Sequence, residues 1–298
     1  MRVKKTGECK RRNQQDLYMD RGKTEEAKQM FQWKNEEMAR ALPLVNATAS
    51  QYPLLRSTLR NRKEGTVYVE TFHNPSSAAV LSRDGWLYLL GEPFSTGFAT
   101  RLVEILVNKI RNEDLVISWF GMTEKWKQAM HQQANHLEIT DHPRIRYHFD
   151  PGEYEKERTA KTAEALRGFA VKSIGEELAK TLFRKNPRQF AYWKDWQTFC
   201  THGFGFILLR GESILGHALS ASVEDGEVEV DIHTVKEYRR LGIARLLTET
   251  LIDQCLYLGL SPKWDCSASN EPSNRLAVRL GFEKVTQYDF SLVQQVAP

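Results

Sequence analysis

The sequence predicts a mixed α/β fold, and three observations support that prediction. Short apolar runs of strand character alternate with segments of helical apolar periodicity along most of the 298 residues. One order of elements occurs twice: three strands, a long helix, a short apolar strand, a second helix and a last strand. The hydrophobic content of 41% suits a globular protein with a sizeable core. We therefore expect two α/β domains with mixed sheets, one at 1–150 and one at 151–298.

In the first half, charged and helix-prone sequence from Gln14 to Leu42 precedes three strand candidates, which are Gly65–Phe72, Ala78–Gly85 and Trp86–Pro93. A helix follows, because four apolar residues are spaced to fall on one face: Ala99, Val103, Leu106 and Ile110. The remaining elements are a strand at Asp114–Gly121, a helix N-capped by Thr123, and a strand at Arg144–Asp150. The polar run "DPGEYEKERTAKTAE" then marks the expected domain boundary.

The second half repeats this order after a strand at Gly168–Gly175 and two helices at Glu176–Arg184 and Gln189–Cys200. Its three strands are expected at Gly203–Gly211, Ser213–Ala221 and Glu227–Val235. A helix over Arg240–Leu258 places an apolar stripe on one face, made of Ile243, Leu247, Leu251 and Cys255. A strand at Lys263–Ser267, a helix at Ser273–Leu280 and a strand at Val285–Val293 complete the chain.

The charge distribution argues against nucleic-acid and membrane binding. The formal net charge is +4, and the first 40 residues hold eleven Lys and Arg against seven Asp and Glu, so the remainder is balanced. The start "MRVKKTGECKRR" lacks interleaved aromatic residues, and we interpret residues 1–12 as a solvated basic tail. The sequence contains neither an apolar run of membrane-spanning length nor a signal core, which predicts a cytoplasmic protein.

Cysteine and histidine spacing predicts neither disulfides nor a metal site. The four cysteines, Cys9, Cys200, Cys255 and Cys266, form no CxxC pair, and we expect reduced core thiols. The eight histidines lack HExxH or other close ligand spacing, so no metal is expected.

The stretch "EYRRLGIARLL" predicts an anion site where a strand gives way to a helix. The free backbone N–H groups and the dipole of a helix N-terminus attract anions. Gly242 lets a large anion approach the backbone, Ala244 keeps the next turn small, and Arg239 with Arg240 adds positive charge. The stretch lacks the Lys-Ser/Thr of a Walker loop and the three glycines of a dinucleotide fingerprint, which disfavours nucleoside triphosphates and NAD. The alternative is an ordinary helix start whose arginines face water.

The surrounding sequence resembles the GNAT superfamily of N-acetyltransferases. Arg239, Gly242 and Ala244 match the superfamily's Arg/Gln-x-x-Gly-x-Gly/Ala motif, and Asn270 with Leu280-Gly281-Phe282 matches its second motif. The stretches "FCTHGFGF", "TVKEYRRLGIA", "PKWDC" and "LAVRLGF" are similar to the branch related to the zwittermicin A resistance acetyltransferase. The resemblance covers roughly Phe199 to Phe282.

The resemblance implies a GNAT-like mixed sheet in the second half, in which two strands splay apart to admit the pantetheine arm of acetyl-CoA. It assigns the pantetheine to the backbone of Ile232, His233 and Thr234, and it assigns the diphosphate to the amides of Arg239, Arg240, Leu241, Gly242, Ile243 and Ala244. Asn270 and Ser273 complete this cofactor site. The corresponding turn of the first half, "GEPFSTGFATRL", has Gly97 but no arginine before it, so we expect one acetyl-CoA per chain and a degenerate GNAT-like repeat at 1–150.

Acetyl transfer requires a neutral amine, so a carboxylate must take a proton from the acceptor. Glu229 and Asp231 lie two residues apart and share a strand face unless a bulge intervenes, and Asp265 lies on the strand where ribosomal-protein acetyltransferases of the superfamily carry a catalytic glutamate. Glu229 is the first candidate. The alternative is that Glu229 and Asp231 form the wet face of a strand and that Asp265 caps the turn at Ser267. His233 shares the strand face of Glu229, and a backbone N–H near Thr234 is the natural oxyanion donor.

One position departs from the superfamily pattern. Many members place a tyrosine that protonates the leaving thiolate seven residues after Asn270, where this chain has Ala277. Ser273 or a water replaces it, or the thiolate leaves unaided. We expect an acetyl-CoA-dependent N-acetyltransferase that acts on a primary amine of a small, antibiotic- or metabolite-like molecule. The alternative is a non-catalytic acyl-CoA-binding regulatory module that engages a protein or nucleic acid. The sequence leaves the amine and the oligomeric state open.

Overall fold

The computed structural model describes residues 30–45, 52–91, 96–113, 115–120, 124–133, 137–158 and 169–295. The first half contains β1 (Phe31–Trp33), a 3₁₀ helix (Asn35–Leu44), α1 (Pro53–Leu59), β2 (Gly65–Val69), β3 (Ser77–Ser82), β4 (Trp86–Gly91), α2 (Thr96–Glu113), β5 (Ile117–Phe120), α3 (Glu124–Gln133) and β6 (Leu137–Phe149). Thr123, the predicted N-cap, and the basic tail lie outside the described residues.

The second half begins with α4 (Pro151–Glu157), β7 (Ala170–Ser173), α5 (Glu176–Lys185) and α6 (Trp196–His202). It continues with β8 (Gly205–Arg210), β9 (Ser213–Glu224), β10 (Glu227–Thr234), α7 (Ile243–Tyr257), β11 (Ser261–Ser267), α8 (Glu271–Arg279) and β12 (Phe282–Gln295). None of the helices within these described ranges is long and apolar enough to cross a membrane.

The predicted order of elements is observed in both halves. In each half two antiparallel pairs lead to a parallel one: β4 pairs in parallel with β5, and β10 pairs in parallel with β11. The predicted helical stripes are also observed, since Ala99, Val103, Leu106 and Ile110 are buried on α2, and Ile243, Leu247, Leu251 and Cys255 are buried on α7.

All twelve strands join one mixed sheet, in the order β1-β2-β3-β4-β5-β12-β6-β11-β10-β9-β8-β7. The final strands of the two halves are exchanged. β12 lies between β5 and β6, and β6 lies between β12 and β11. The mixed α/β class is thus confirmed, whereas the division into units 1–150 and 151–298 stays a prediction, because the sheet runs without interruption through strands of both halves.

The helix expected over Gln14–Leu42 is wrong in its described part. Residues 31–33 form β1, where Trp33 is fully buried and pairs with Val67 of β2. Residues 35–44 form a 3₁₀ helix, whose period of about three residues buries both Met38 and Ala41.

The helix expected over Gln189–Cys200 is also wrong in its first part, because residues 187–195 form turns. Asp195 has extended backbone and N-caps α6, with its Oδ1 accepting from the Thr198 amide at 2.7 Å. The indole of Trp193 donates to the Ser220 carbonyl at 2.7 Å, which fixes this turn against β9. Trp193 therefore fills the core.

The cysteines agree with the expectation at two positions. Cys255 and Cys266 are buried free thiols, but Cys200 is an exposed free thiol, so the expectation of a core position is wrong there. Cys200 follows the buried Phe199 on α6, a helix of about two turns, and the side of that helix away from Phe199 meets solvent. Cys9 lies outside the described residues.

Candidate active site

The parallel strands β10 and β11 separate after three paired residues. Their register runs from Glu227 opposite Ser261 to Glu229 opposite Lys263. Beyond that point β10 remains paired with β9 up to Thr234, while β11 turns to β6, with Trp264 opposite Tyr147. The inner edges of the two strands therefore form an opening with backbone groups on its β10 side.

The orientation of the β10 backbone follows from its pairing with β9. The amide of Val235 donates to the Leu215 carbonyl at 2.9 Å. Because hydrogen-bonded and non-hydrogen-bonded pairs alternate along antiparallel strands, the N–H and C=O groups of Ile232 and Thr234 point away from β9 and into the opening. The backbone groups of His233 point to β9 instead. Of the three residues expected to hold pantetheine, Ile232 and Thr234 present their backbone to the opening.

The N-terminus of α7 lies directly after this strand. Gly242 is its N-cap with φ of +84°, and Arg240 also has a positive φ of +66°. These left-handed residues shape the turn that carries Arg239, whose Nε donates to the Thr234 carbonyl at 3.2 Å. Within the described residues, the amides of Leu241, Gly242, Ile243 and Ala244 have no hydrogen-bond acceptor, as expected for a helix start. Free amides, the helix dipole and two exposed arginines together suit a diphosphate.

The predicted second motif begins α8 on the other side of the opening. Asn270 is the N-cap of α8, and its Oδ1 accepts from the Ser273 amide at 3.3 Å. The Ser273 hydroxyl accepts from the Trp264 indole at 3.1 Å. Ala277 is fully buried on the same helix, and near it the Tyr147 hydroxyl donates to Asn274 Oδ1 at 2.6 Å. Asn270 and Ser273 thus lie on the turn expected to close the cofactor site.

The first half has the same strand divergence, but a tryptophan fills it. β4 and β5 pair from Trp86 to Tyr88, and β4 continues to Gly91. The fully buried Trp126 of α3 donates its indole N–H to the Gly91 carbonyl at 2.8 Å. Trp126 is the third residue of α3, as Ser273 is the third residue of α8. Within the described residues, a bulky ring thus occupies the first-half opening at the helix position where the second half has a serine.

A cavity of about 460 Å³ lies beside the paired start of β10 and β11. Both halves line it, and the residues that matter below are Tyr52, Trp86, Tyr88, Arg144, Glu229 and Asp265. The predicted bases Glu229 and Asp265 therefore share one chamber.

In the cross-strand register Ser222 faces Glu229 and Ser220 faces Val230, so the bulge falls at Ala221 of β9. β10 itself is regular, and Glu229 and Asp231 keep the predicted common face.

Glu229 is half-buried, and its carboxylate has no partner in the part of the chain that the structure describes. Among the described residues, its carboxylate makes neither a hydrogen bond nor an ion pair. Burial raises its pKa to about 8, the nearby Asp265 carboxylate raises it further, and Arg144 with Arg146 opposes the rise. A carboxyl group that titrates near neutral pH and faces a cavity can take a proton from a substrate.

Asp265 is held by charged and polar neighbours. Its Oδ1 accepts from Arg144 Nε at 2.6 Å, its Oδ2 accepts from the Tyr288 hydroxyl at 2.8 Å, and Arg146 Nε lies 3.5 Å from Oδ2. The alternative that Asp265 caps the turn at Ser267 is wrong, because the carboxylate is engaged by β6 and β12 instead. These partners occupy the Asp265 carboxylate, whereas the Glu229 carboxylate has no such partner among the described residues.

Asp231 belongs to a separate polar cluster on the same strand face. It accepts from the Tyr192 hydroxyl at 3.2 Å and lies 3.2 Å from His217 Nε2. His217 stacks on His233 with a centroid distance of 5.5 Å, and burial together with His217 lowers the pKa of His233. Tyr192 thus contacts a predicted catalytic residue rather than only filling the core.

Sequence reasoning missed the residues that the first half and β12 bring to the chamber, chiefly Tyr52, Tyr88, Arg144, Arg146 and Tyr288. One signal was present: the run "RIRYHF" alternates arginine with apolar residues, which places two charges on one face of a strand expected to be buried. Nothing in the local sequence pairs that strand with β11.

Comparisons with known proteins identify a family and relatives of this chain. The family model described as GNAT acetyltransferase matches residues 43–290. The uncharacterized N-acetyltransferase YdfB of Bacillus subtilis (strain 168) is 25% identical over 238 residues, which cover 80% of this chain and 87% of that protein.

Solved structures share the fold. A GCN5-related N-acetyltransferase-like protein from Streptococcus suis 89/1591 aligns with a TM-score of 0.65 and 22% identity, over 86% of this chain and 98% of that one. A tandem GNAT protein from the clavulanic acid biosynthesis pathway aligns with a TM-score of 0.55 and 11% identity, over 91% of this chain and 99% of that one.

Proposed function

The chain belongs to the GNAT acetyltransferase family, and from this membership we propose that it transfers the acetyl group of acetyl-CoA to a primary amine of a small molecule. The opening between β10 and β11 carries the proposal, because it lies between the free amides at the start of α7 and the chamber that contains Glu229. The relation to the zwittermicin A resistance branch, and with it an antibiotic-like or metabolite-like acceptor, is part of the same proposal.

In this function acetyl-CoA supplies the activated acetyl group as a thioester. The backbone of Ile232 and Thr234 holds the extended arm, and the amides and arginines from Arg239 to Ala244 hold the diphosphate. Asn270 and Ser273 border the site on α8. The N–H of Thr234 stabilises the negative charge that develops on the thioester oxygen.

Glu229 acts as the general base. The amine nitrogen forms a bond to the acetyl carbon, Glu229 takes the proton that the nitrogen loses, and the carbon–sulfur bond breaks. The thiolate leaves with a thiol pKa near 8.5, so it departs without an obligatory acid at position 277. Asp231 and Asp265 are the second candidates for the base, and their existing partners suit them better to positioning their neighbours.

Two measurements test this function on the purified full-length chain. Calorimetric titration with CoA measures cofactor binding, and thiol release from acetyl-CoA over a panel of primary amines measures turnover. We expect CoA binding together with amine-dependent thiol release. Binding without any turnover would favour an acyl-CoA-sensing regulatory module, and the absence of both would overturn the family-based proposal.

A further inference from the structure

We propose that the acceptor is a primary amine tethered to a planar aromatic ring, with the ring against Trp86 and Tyr52 and the nitrogen at Glu229. The proposal rests on the proposed function and specifies the acceptor for the same site. It follows from the contrast between the two ends of the chamber, which the first half and the second half build separately.

The first-half end of the chamber is an aromatic wall around Phe120. Trp86 stacks on Phe120 at 5.0 Å and 24°, Tyr88 stacks on it at 5.4 Å and 26°, and Tyr52 meets its ring at 5.7 Å and 60°. Phe120 is buried by these neighbours, whereas Trp86 and Tyr52 keep part of their surface exposed to the chamber. Exposed ring surface of this kind favours a flat aromatic group, since such pairs stack or meet edge to face at these separations.

The second-half end offers one acidic group without a partner. Arg144 and Arg146 both contact Asp265, and Lys263 pairs with Glu227 at 2.9 Å. Arg56 pairs with Asp225 at 3.3 Å. Glu229 is the carboxylate in this end of the chamber that forms no ion pair among the described residues. One amine therefore finds one available carboxylate in the chamber, whereas a second ammonium group would have to compete with the existing pairs.

The Tyr88 hydroxyl is a further sign that the wall faces a ligand. It is buried, lines the chamber, and has no hydrogen-bond partner among the described residues. A buried polar group without a partner costs stability unless a ligand or water completes it. An aromatic acceptor with a polar ring substituent would supply that partner beside the wall.

A matched pair of amines tests the proposal. Phenethylamine and cyclohexylethylamine share the same side chain and carbon count, but only the first carries a planar ring. We expect kcat/KM for phenethylamine to exceed that for cyclohexylethylamine by about tenfold, and butylamine to be poorer than both. Spermidine, which carries several ammonium groups, is expected to be acetylated more slowly than phenethylamine.

Substitution of the wall provides the second test. Trp86→Leu should abolish the preference for the planar amine while CoA affinity, measured by calorimetry, stays unchanged. Tyr257→Leu is the matched control, because Tyr257 is 85% exposed at the end of α7 and lies outside the chamber, and it should keep the preference. If Trp86→Leu fails to fold, Tyr52→Leu serves the same purpose, with the thermal midpoint checked for each variant.

The outcomes separate this inference from the function on which it depends. Equal turnover of the planar and non-planar amines, or retention of the preference in both wall variants, would overturn the inference and leave the acetyltransferase intact. CoA binding with no turnover of any amine would instead overturn the proposed function.

Discussion

Glu229 and Asp265 show how two acidic residues in one chamber acquire different properties. Asp265 accepts hydrogen bonds from Arg144 and Tyr288. The half-buried carboxylate of Glu229, by contrast, has no hydrogen bond or ion pair among the described residues. Burial disfavours the charged form, so the pKa of Glu229 rises to about 8. The sequence could place Glu229 and Asp231 on one strand face, but it could not rank them, because the partners of each acid come from distant segments.

Replacement of the base tests this assignment directly. Glu229→Gln should lower kcat by at least about a hundredfold, because the amide cannot accept the proton of the amine, and CoA affinity should stay within about twofold. Asp231→Asn is the control on the same strand face. A larger loss of kcat in Asp231→Asn than in Glu229→Gln would transfer the role of base to Asp231.

The pH dependence gives an independent check on the same residue. Only the ionised carboxylate accepts a proton, so kcat/KM should rise with pH and show an apparent pKa near 8. The Glu229→Gln variant should lose this limb and keep only the rise that follows the amine itself. A wild-type profile without a limb near 8 would contradict the assignment.

At the scale of single elements, the sequence predicted best the helices whose position depends on local apolar periodicity. The apolar stripes of α2 and α7 are set by local periodicity and were placed correctly. The 3₁₀ helix at Asn35–Leu44 and the turns before α6 were not, because Trp33 and Trp193 are fixed by strands far away in sequence. The start of α7 was predicted three residues early, since Arg240 and Gly242 adopt left-handed backbone before the helix begins at Ile243.

The start of α7 also yields a prediction with a closely matched control. Gly242→Ala should weaken CoA binding by about tenfold or more, because the new methyl group enters the anion site and the residue has φ of +84°. Gly226→Ala tests the backbone cost alone, since Gly226 has φ of +81° in the β9–β10 turn and a methyl group there meets no atom within 4 Å. Both should lose about 1 kcal/mol of stability, and only Gly242→Ala should lose affinity.

At the scale of the whole molecule, buried ion pairs join the first half to the β9–β10 hairpin. The Glu224 side chain is fully buried and accepts from both Arg60 and Arg62, and Arg62 also donates to the Val223 carbonyl at 2.8 Å. Asp225, next to Glu224, pairs with Arg60 at 2.8 Å. These contacts hold α1 and its following loop beside the chamber, where Tyr52 and Arg56 contribute to its lining.

Loss of this contact should destabilise the chain. Glu224→Ala removes the buried acceptor of two partly exposed arginines, and we expect the free energy of unfolding, measured by urea denaturation, to fall by about 2 kcal/mol. The matched control is Glu64→Ala, which breaks the pair with Arg83 whose side chains are 51% and 75% exposed. That change should cost less than about 0.5 kcal/mol. Similar losses of unfolding free energy in the two variants would show that Glu224 contributes no more to stability than an exposed ion pair does.

The sequence predicted the repeated order of elements, but not the exchange of β6 and β12. Strand pairing between distant segments depends on burial and register across the sheet. Arg146 and Thr286 lie opposite each other, but the residues around them in sequence do not indicate this pairing. The chamber depends on this pairing, because β6 supplies Arg144 and Arg146 beside Asp265 of β11. The aromatic wall could therefore not be predicted from the sequence, although Trp86, Tyr88 and Phe120 all lie in predicted strands; Tyr52 precedes α1, a helix that was not predicted.

The position of β12 also bears on how the protein is synthesised. After the first half has left the ribosome, β5 and β6 still lack the strand that separates them, because that strand, residues 282–295, is synthesised later. Until those residues emerge, the nascent chain carries unprotected strand edges on β5 and β6, and such edges invite aggregation. If the two halves were produced as separate fragments, each fragment would have unpaired strand edges. Each would then need to bind the other fragment to pair them.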